Sequence, residues 1–201
     1  EFDQIFVHDK IKTGQNSLIT ISFIDNSILT LESNSEFLVE KFDKISEEPS
    51  FIIAITKGKF AFESGTIAKN DKGIMKIKLS DMEVNLKGTL ITGAVTDETT
   101  TVALLADSVG GNVGRLDVTT IDGRTTSITE EGAGLNLSGD NEIEDITLSE
   151  EEKKEAKGTM NEAVVQASTI DPKKIERAIM KQLAEGKSGL TNLADVETLM
   201  A

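Results

Sequence analysis

The side chains that could do chemistry in this sequence are few, and their spacing decides what they can do. The single histidine, His8, sits next to Asp9. Successive residues of an extended chain point to opposite faces, so the two cannot form an acid–base pair, and a solvated histidine is the reading. Four carboxylates, Asp140, Glu142, Glu144 and Asp145, lie close in sequence; with Asp107, Asp117 and Asp122 they are the candidates for a calcium site. Calcium wants six to eight oxygen ligands. The spacing fits neither an EF-hand loop nor a glycine–aspartate β-roll repeat, so a solvated acidic face is preferred and no cofactor is expected. Thr96 to Thr101 and Thr125 to Thr129 offer hydroxyl-rich strand faces, but without Trp or Tyr there is no platform on which a sugar could stack.

Composition narrows the choice further. The chain has 201 residues with no Cys, no Trp, no Tyr and eight Phe, and it is 38% hydrophobic. The absence of Cys excludes disulfides, thiolate metal sites and cysteine nucleophiles. No G-x-G-x-x-G, phosphate-binding loop or nucleophile elbow is present, so an enzyme is not expected. The net charge of −14 repels phosphate backbones, and no Lys/Arg cluster offsets it, which argues against nucleic acid as a partner. The acidic excess concentrates in residues 95–148, with 11 acids against 2 bases. The longest apolar run, Phe51 to Ile55, is far short of a membrane span. The start at Glu1 without Met implies a processed or trimmed product, so the lack of a signal peptide says little about location.

Short β-type segments fill residues 1–148. Leu18 to Ile24 alternates, with Ile19, Ile21 and Phe23 on one face; Asp25-Asn26-Ser27 forms a turn, and Ile28 to Leu31 returns as a hairpin. Phe37 to Phe42, Phe51 to Thr56 and Lys59 to Glu63 read as strands, as do Met75 to Leu79 and the alternation Met82, Val84, Leu86. Val102 to Ala106 follows, and then Leu116 to Ile121 and Thr125 to Thr129 joined at Asp122-Gly123, a favoured hairpin pair. This spacing implies a mainly β domain, a sandwich or a coil of strands. Asp140 to Glu155, rich in charge, reads as a loop.

The pattern turns helical over 149–201. Ser149 and Glu152 make a capping box, followed by Ala156, Met160, Ala163, Val164 and Ala167 on one face. Asp171-Pro172 restarts a helix that Gly186 closes, with Ile175, Ala178, Ile179 and Leu183 as its stripe, and a third helix starts at Thr191. Helices this short cannot stand alone and must dock on the β domain or on another subunit.

The run Asp9-Lys10-Ile11-Lys12-Thr13-Gly14, the segment Ile21 to Ser27 and the strand Leu29-Thr30-Leu31 together resemble the opening of a FecR-type domain. Ser33 to Phe37 sits where that family has a polar corner. Ile55 to Phe62 is similar to its glycine-then-aromatic strand, and Val84 to Ile91 to its V-x-V-R-G-T-x-F signature. Asn26 stands where the family has a turn glycine and Lys87 where it has arginine, and the strand expected before residue 5 is absent. The resemblance spans about residues 5–94 and implies an extracytoplasmic β-rich module without catalytic residues. Thr13, Gly14, Asp25, Ser27, Gly58, Gly88 and Thr89 are then structural positions, with the glycines at bends, tight turns and close approaches rather than around a phosphate.

Two functions compete. The first is a structural subunit of an exported surface layer, matrix or filament, extracellular or at the cell surface. Its partner is itself, joined by strand-edge pairing near residues 2–12 and by the stripe Met160, Val164, Ala167, Ile175, Ile179 and Leu183. The second is a periplasmic FecR-like regulator that relays a signal from an outer-membrane partner. The open sheet edge and the helical tail favour the first.

Overall fold

A computed structural model describes residues 5–168; residues 1–4 and 169–201, and with them Ile175, Ile179, Leu183 and the second and third expected helices, lie outside the described residues. Among the described residues there are thirteen strands: β1 (Lys10–Lys12), β2 (Ile19–Ser22), β3 (Ile28–Leu31), β4 (Glu36–Asp43), β5 (Ser50–Glu63), β6 (Ile74–Lys78), β7 (Met82–Lys87), β8 (Leu90–Val95), β9 (Thr99–Leu105), β10 (Arg115–Thr120), β11 (Thr125–Ile128), β12 (Ala133–Ser138) and β13 (Ile143–Thr147). A single-turn helix, α1 (Thr66–Lys69), follows β5, and α2 (Glu150–Ser168) follows β13. The chain is mainly β, as its alternation predicts.

The strands form one curled sheet whose two halves share β5. In the first half the order is β1-β4-β5-β6-β7-β10-β11, and in the second β2-β3-β5-β8-β9-β12-β13. Both halves advance in chain order, so the chain winds from one end of the fold to the other. All pairings are antiparallel except β5 with β6, the connection that carries α1.

Alternation gives each half an inner apolar face, and register lines the residues up. Val39, Ile53, Ile77, Val84 and Val118 are direct cross-strand neighbours in the first half, each at most 3% exposed. β-branched side chains suit such a pleated surface. Leu29, Phe62, Ile91 and Leu104 form the facing row in the second half, all fully buried. The two faces close on one core cluster. Phe51 sits among aromatic rings there, with its centroid 4.6 Å from Phe23, 4.9 Å from Phe42 and 6.0 Å from Phe62.

Three differences from the sequence reading have physical causes. The segments 51–56 and 59–63 are one strand of 14 residues, because β5 bends instead of ending. Its first part pairs with β4 up to Lys57, and its second part pairs with β8 from Gly58 onward. The stretch read as a loop holds β13, an edge strand paired with β12 (Leu137 opposite Ile143, Gly134 opposite Ile146), whose charges are tolerated because they face solvent. His8 lies in a turn with φ 75°, and its N–H donates to the Val39 carbonyl at 2.7 Å.

Candidate functional site

The residues singled out from the sequence gather at two corners where the chain passes between the halves. At the first, β3 leaves the second half and β4 enters the first. The Thr13 hydroxyl donates to the Glu32 carbonyl at 2.6 Å and accepts the Ser35 N–H at 2.8 Å, and the Ser35 hydroxyl donates to the Glu32 carbonyl at 2.8 Å. β5 changes halves at the same spot. Gly58 has φ +98°, and a Cβ there would lie 2.0 Å from Ser35 Oγ and 2.6 Å from Ser35 Cα. No side chain fits between these two crossings. Gly14 is different: its φ is not positive, a Cβ would meet only Ser17 Oγ at 3.6 Å, and the left-handed residue of that loop is Asn16. Its carbonyl accepts the Asn34 N–H at 3.1 Å.

The second corner is built on Asp25, which is fully buried. Its carboxylate accepts the Ser27 N–H at 3.1 Å and the Ser27 hydroxyl at 2.8 Å, while the backbone carbonyl of Asp25 takes the Thr66 N–H at 2.7 Å. Ser27 Oγ in turn accepts the Gly65 N–H at 2.9 Å. Burial raises the Asp25 pKa, and the hydrogen bonds from Ser27 and the Ile67 backbone partly offset that rise. Next to it the Thr89 N–H donates to Ser64 Oγ at 2.7 Å, and the Thr89 hydroxyl donates to the Leu105 carbonyl at 3.2 Å. Gly88, with φ +63°, turns the chain from β7 to β8. The sequence reading missed Gly65, where a Cβ would lie 2.1 Å from the Asp25 carbonyl oxygen. Its signal was weak: a glycine after a strand also reads as an ordinary turn.

These corners bind the fold together and hold no reacting pair. The acidic residues proposed for calcium are likewise spread out. Asp140 accepts a hydrogen bond from Ser138, which lowers its pKa, and Glu144 and Asp145 are adjacent on β13 and so face opposite ways. Asp117 takes Ser127 at 2.5 Å and Arg115 at 2.8 Å, and Asp122 takes Arg124 at 2.7 Å. Among the described residues no group of three or more His, Cys, Asp or Glu is placed to hold a metal.

What remains is surface. The outer face of the first half carries cross-strand ion pairs, Lys78 with Glu40 and Lys76 with Glu83, each at 2.6 Å. At its β1 edge Glu36 bridges Lys10 at 2.7 Å and Lys12 at 2.5 Å, and these two ammonium groups pull the Glu36 pKa down to about 2. The outer face of the second half is where α2 docks. Ser149 and Glu152 close the capping box, with the Ser149 N–H on Glu152 Oε2 at 2.8 Å and the Glu152 N–H on Ser149 Oγ at 3.3 Å. Met160 and Ala163 then bury themselves on Ile28, Ala61, Leu90 and Leu105, with Val164 and Ala167 packed at the margin. Lys157 pairs with Glu131, which also accepts the Ala106 N–H at 3.2 Å. Beside the helix lies a groove with a cavity volume of about 210 Å3, floored by Thr30, Ala61, Thr92 and Ala103 and walled by Glu152 and Ala156.

Known proteins fit this architecture. Residues 9–110 match the family model described as FecR protein, which is half of the chain. Two crystal structures of a putative anti-sigma factor from Parabacteroides distasonis, at 2.50 Å and 1.65 Å, share the fold. Their TM-scores are 0.56 and 0.55 at 9% identity, over 70% and 69% of this chain and 60% and 59% of theirs. This chain thus spans about 60% of the length of the solved structures it matches. No curated protein gives a significant sequence match.

These findings show a FecR-type domain on a fold shared with an anti-sigma factor structure. They correct the expectation of a structural subunit of a layer, matrix or filament, and with it the surface-protein and homo-oligomer readings. The physical reasons lie in the chain itself. Met160, Val164 and Ala167 spend their apolar surface on their own sheet rather than on another copy. The edge strand β1 is three residues long and flanked by Lys10 and Lys12, a charged edge that discourages pairing with a second chain. With the family signature spread over its strands and corners, the chain belongs to the FecR family.

Proposed function

We propose that this protein is a non-catalytic regulatory module that works outside the cytoplasm, in the periplasm, and relays a signal from an outer-membrane partner by protein–protein contact. FecR-type proteins are periplasmic or membrane-associated. No described helix is long and apolar enough to cross a membrane. The observation that carries the reading is the FecR match over residues 9–110 on a fold shared with an anti-sigma factor structure. The geometry is compatible with it: a module whose corner residues serve its own fold, and whose first half keeps an outer sheet face bearing ion pairs, can work by contact without the chemistry of an enzyme. Two measurements test it together. Sedimentation of the full chain should give a discrete small species, and cross-linking in intact cells should capture a different protein whose loss alters transcription from a sigma-factor-dependent promoter. Megadalton self-assembled particles, or transcription that does not respond when this chain is deleted, would overturn the proposal.

A further inference from the structure

Each half of the sheet ends in strands with one neighbour only, β1 and β11 in the first half and β2 and β13 in the second. An open strand edge is a template for pairing with another chain, and charge is a common guard against it. β1 carries Lys10 and Lys12, both paired with Glu36. β2 lies on the same side of the fold, where the segment leading into β1 packs Ile5 against the core. β13 carries Glu144 and Asp145, and Asp145 stands opposite the buried Leu135, which puts a carboxylate on the inner face at that edge. β11 has no charge, no proline and no register shift. Its ladder also fixes which backbone groups are open. The Thr120 N–H donates to the Arg124 carbonyl at 2.9 Å, which sets the alternation of the antiparallel pair. Thr126 and Ile128 therefore bond to β10, while Thr125 and Ser127 turn their N–H and C=O groups outward. Both outward residues are exposed, and their side chains lie back over β10. Thr125 Oγ1 is 3.2 Å from Thr119 Oγ1, and Ser127 Oγ donates to Asp117 at 2.5 Å.

We infer that β11 takes an extended segment of the protein partner as an additional strand, uncharged in its middle and acidic at its ends. This rests on the regulatory reading, which supplies a partner, and adds where and how that partner binds. Main-chain hydrogen bonds to Thr125 and Ser127 give affinity that is independent of side chains, and the flanking residues select the sequence. Arg124 precedes the strand, and Arg115 Nη2 donates to Ser127 Oγ at 2.9 Å. These are the two bases in residues 95–148, against 11 acids. Each holds one carboxylate of this chain, Asp117 or Asp122, and keeps further N–H donors for another. They put positive charge towards both ends of the edge, which suits an acidic residue at each end of the incoming segment. The inner side suits apolar residues. Arg124 Nη2 donates to the Asn141 carbonyl at 2.8 Å, which brings β11 and β13 to one side of the fold. There Ile128 is buried and Ile143 half-buried, and an added strand extends their cover.

The test uses the full chain and a synthetic peptide of four Thr-Val repeats between pairs of glutamate, with amide hydrogen exchange read by NMR. At millimolar peptide the Thr125 and Ser127 amides should exchange about threefold more slowly, and those of Ile143, Asp145 and Thr147 on β13 should not change. Ser127→Pro removes one outward N–H and leaves the β10–β11 ladder intact, so it should abolish the protection at Thr125. Thr125→Lys with Ser127→Lys, which copies the guard on β1, reads the same point should the proline disturb the hairpin. In intact cells a photo-reactive phenylalanine analogue in place of Thr125 should cross-link the protein whose loss alters transcription, and one in place of Glu144 should not. Protection that falls on β13, or that survives both blocking variants, would overturn the inference. So would the absence of protection at Thr125 and Ser127, or a cross-link from position 125 to this chain alone. A chain that protects Thr125 and Ser127 with the peptide but affects no promoter would refute the regulatory reading and still support the pairing edge.

Discussion

Replacing Gly58 by alanine separates the two things a glycine can do in this fold. At φ +98° a β-carbon strains the backbone by about 1–2 kcal/mol. The added atom would also stand 2.0 Å from Ser35 Oγ, 2.5 Å from its Cβ and 2.6 Å from its Cα, so the corner must move, and overpacking of this kind costs about 1–3 kcal/mol. The expected loss is their sum, about 2–5 kcal/mol. Gly88→Ala carries only the first cost, because φ is +63° and the nearest atom is Lys69 Cγ at 3.9 Å; about 1–2 kcal/mol is expected. Gly14→Ala carries neither and should be neutral or stabilising by up to about 1 kcal/mol. Urea unfolding followed by far-ultraviolet circular dichroism suits a chain without tryptophan. Combining Gly58→Ala with Ser35→Gly takes away the clashing hydroxyl and β-carbon but leaves the backbone of residue 35 in the way, so a double-mutant cycle should show partial rescue. If Gly88→Ala costs as much as Gly58→Ala, or the cycle shows no coupling, close approach is not what excludes a side chain at this corner.

Met160→Ala should cost about 2–5 kcal/mol in the same assay without changing the mass in solution, because the side chain is buried within its own chain; dissociation of an oligomer would contradict that. Ser149→Ala removes a helix cap and should cost about 1 kcal/mol, lost in unfolding by urea and absent if α2 is not docked. The two perturbed carboxylates act in opposite directions with pH. Glu36, lowered to about 2 from an ordinary 4.5, contributes stability above pH 4.5 that is lost as pH falls through 2, so Glu36→Gln should flatten that acid limb. Asp25, raised by burial from 3.8, contributes stability at low pH that is lost as pH rises through its folded value, so Asp25→Asn should remove that decline. A pH profile for either variant that parallels the parent's would refute the corresponding assignment.

The strands with one wet face were legible, because Ile77 and Val84 alternate with Lys76, Lys78 and Glu83 and the period of two is uninterrupted. The hairpin at Asp122-Gly123 was legible from its turn residues, and the capping box at Ser149 from its spacing. What alternation does not single out is α1, β8 and β12. α1 is a single turn anchored by tertiary bonds to Asp25 and Ser27, and β8 and β12 contain Gly93 and Gly134, where backbones approach too closely for a Cβ: Thr101 O at 2.4 Å and Val102 O at 2.3 Å. Local pattern cannot report a glycine that is required by a neighbour far along the chain. The bend in β5 is of the same kind, since Gly58 reads as a break until Ser35 is placed beside it.

An amphipathic helix stripe fixes that something must cover it and leaves open whether the cover belongs to the same chain. The strands hold the missing half of that answer. A strand with one wet face alternates, whereas one covered on both faces reads as a continuous apolar run. Ile28-Leu29, Leu90-Ile91 and Leu104-Leu105 each place two large apolar residues side by side at the end of their strands, and the register brings these ends together around Glu63. Leu29, Ile91 and Leu104 face the core, so Ile28, Leu90 and Leu105 are forced outward, where water would meet them unless another element lay above. α2 is that element, and its Met160 and Ala163 share one buried cluster with Ile28, Leu90 and Leu105. A stripe on a C-terminal helix together with doubled apolar residues at three strand ends therefore argues for docking within the chain.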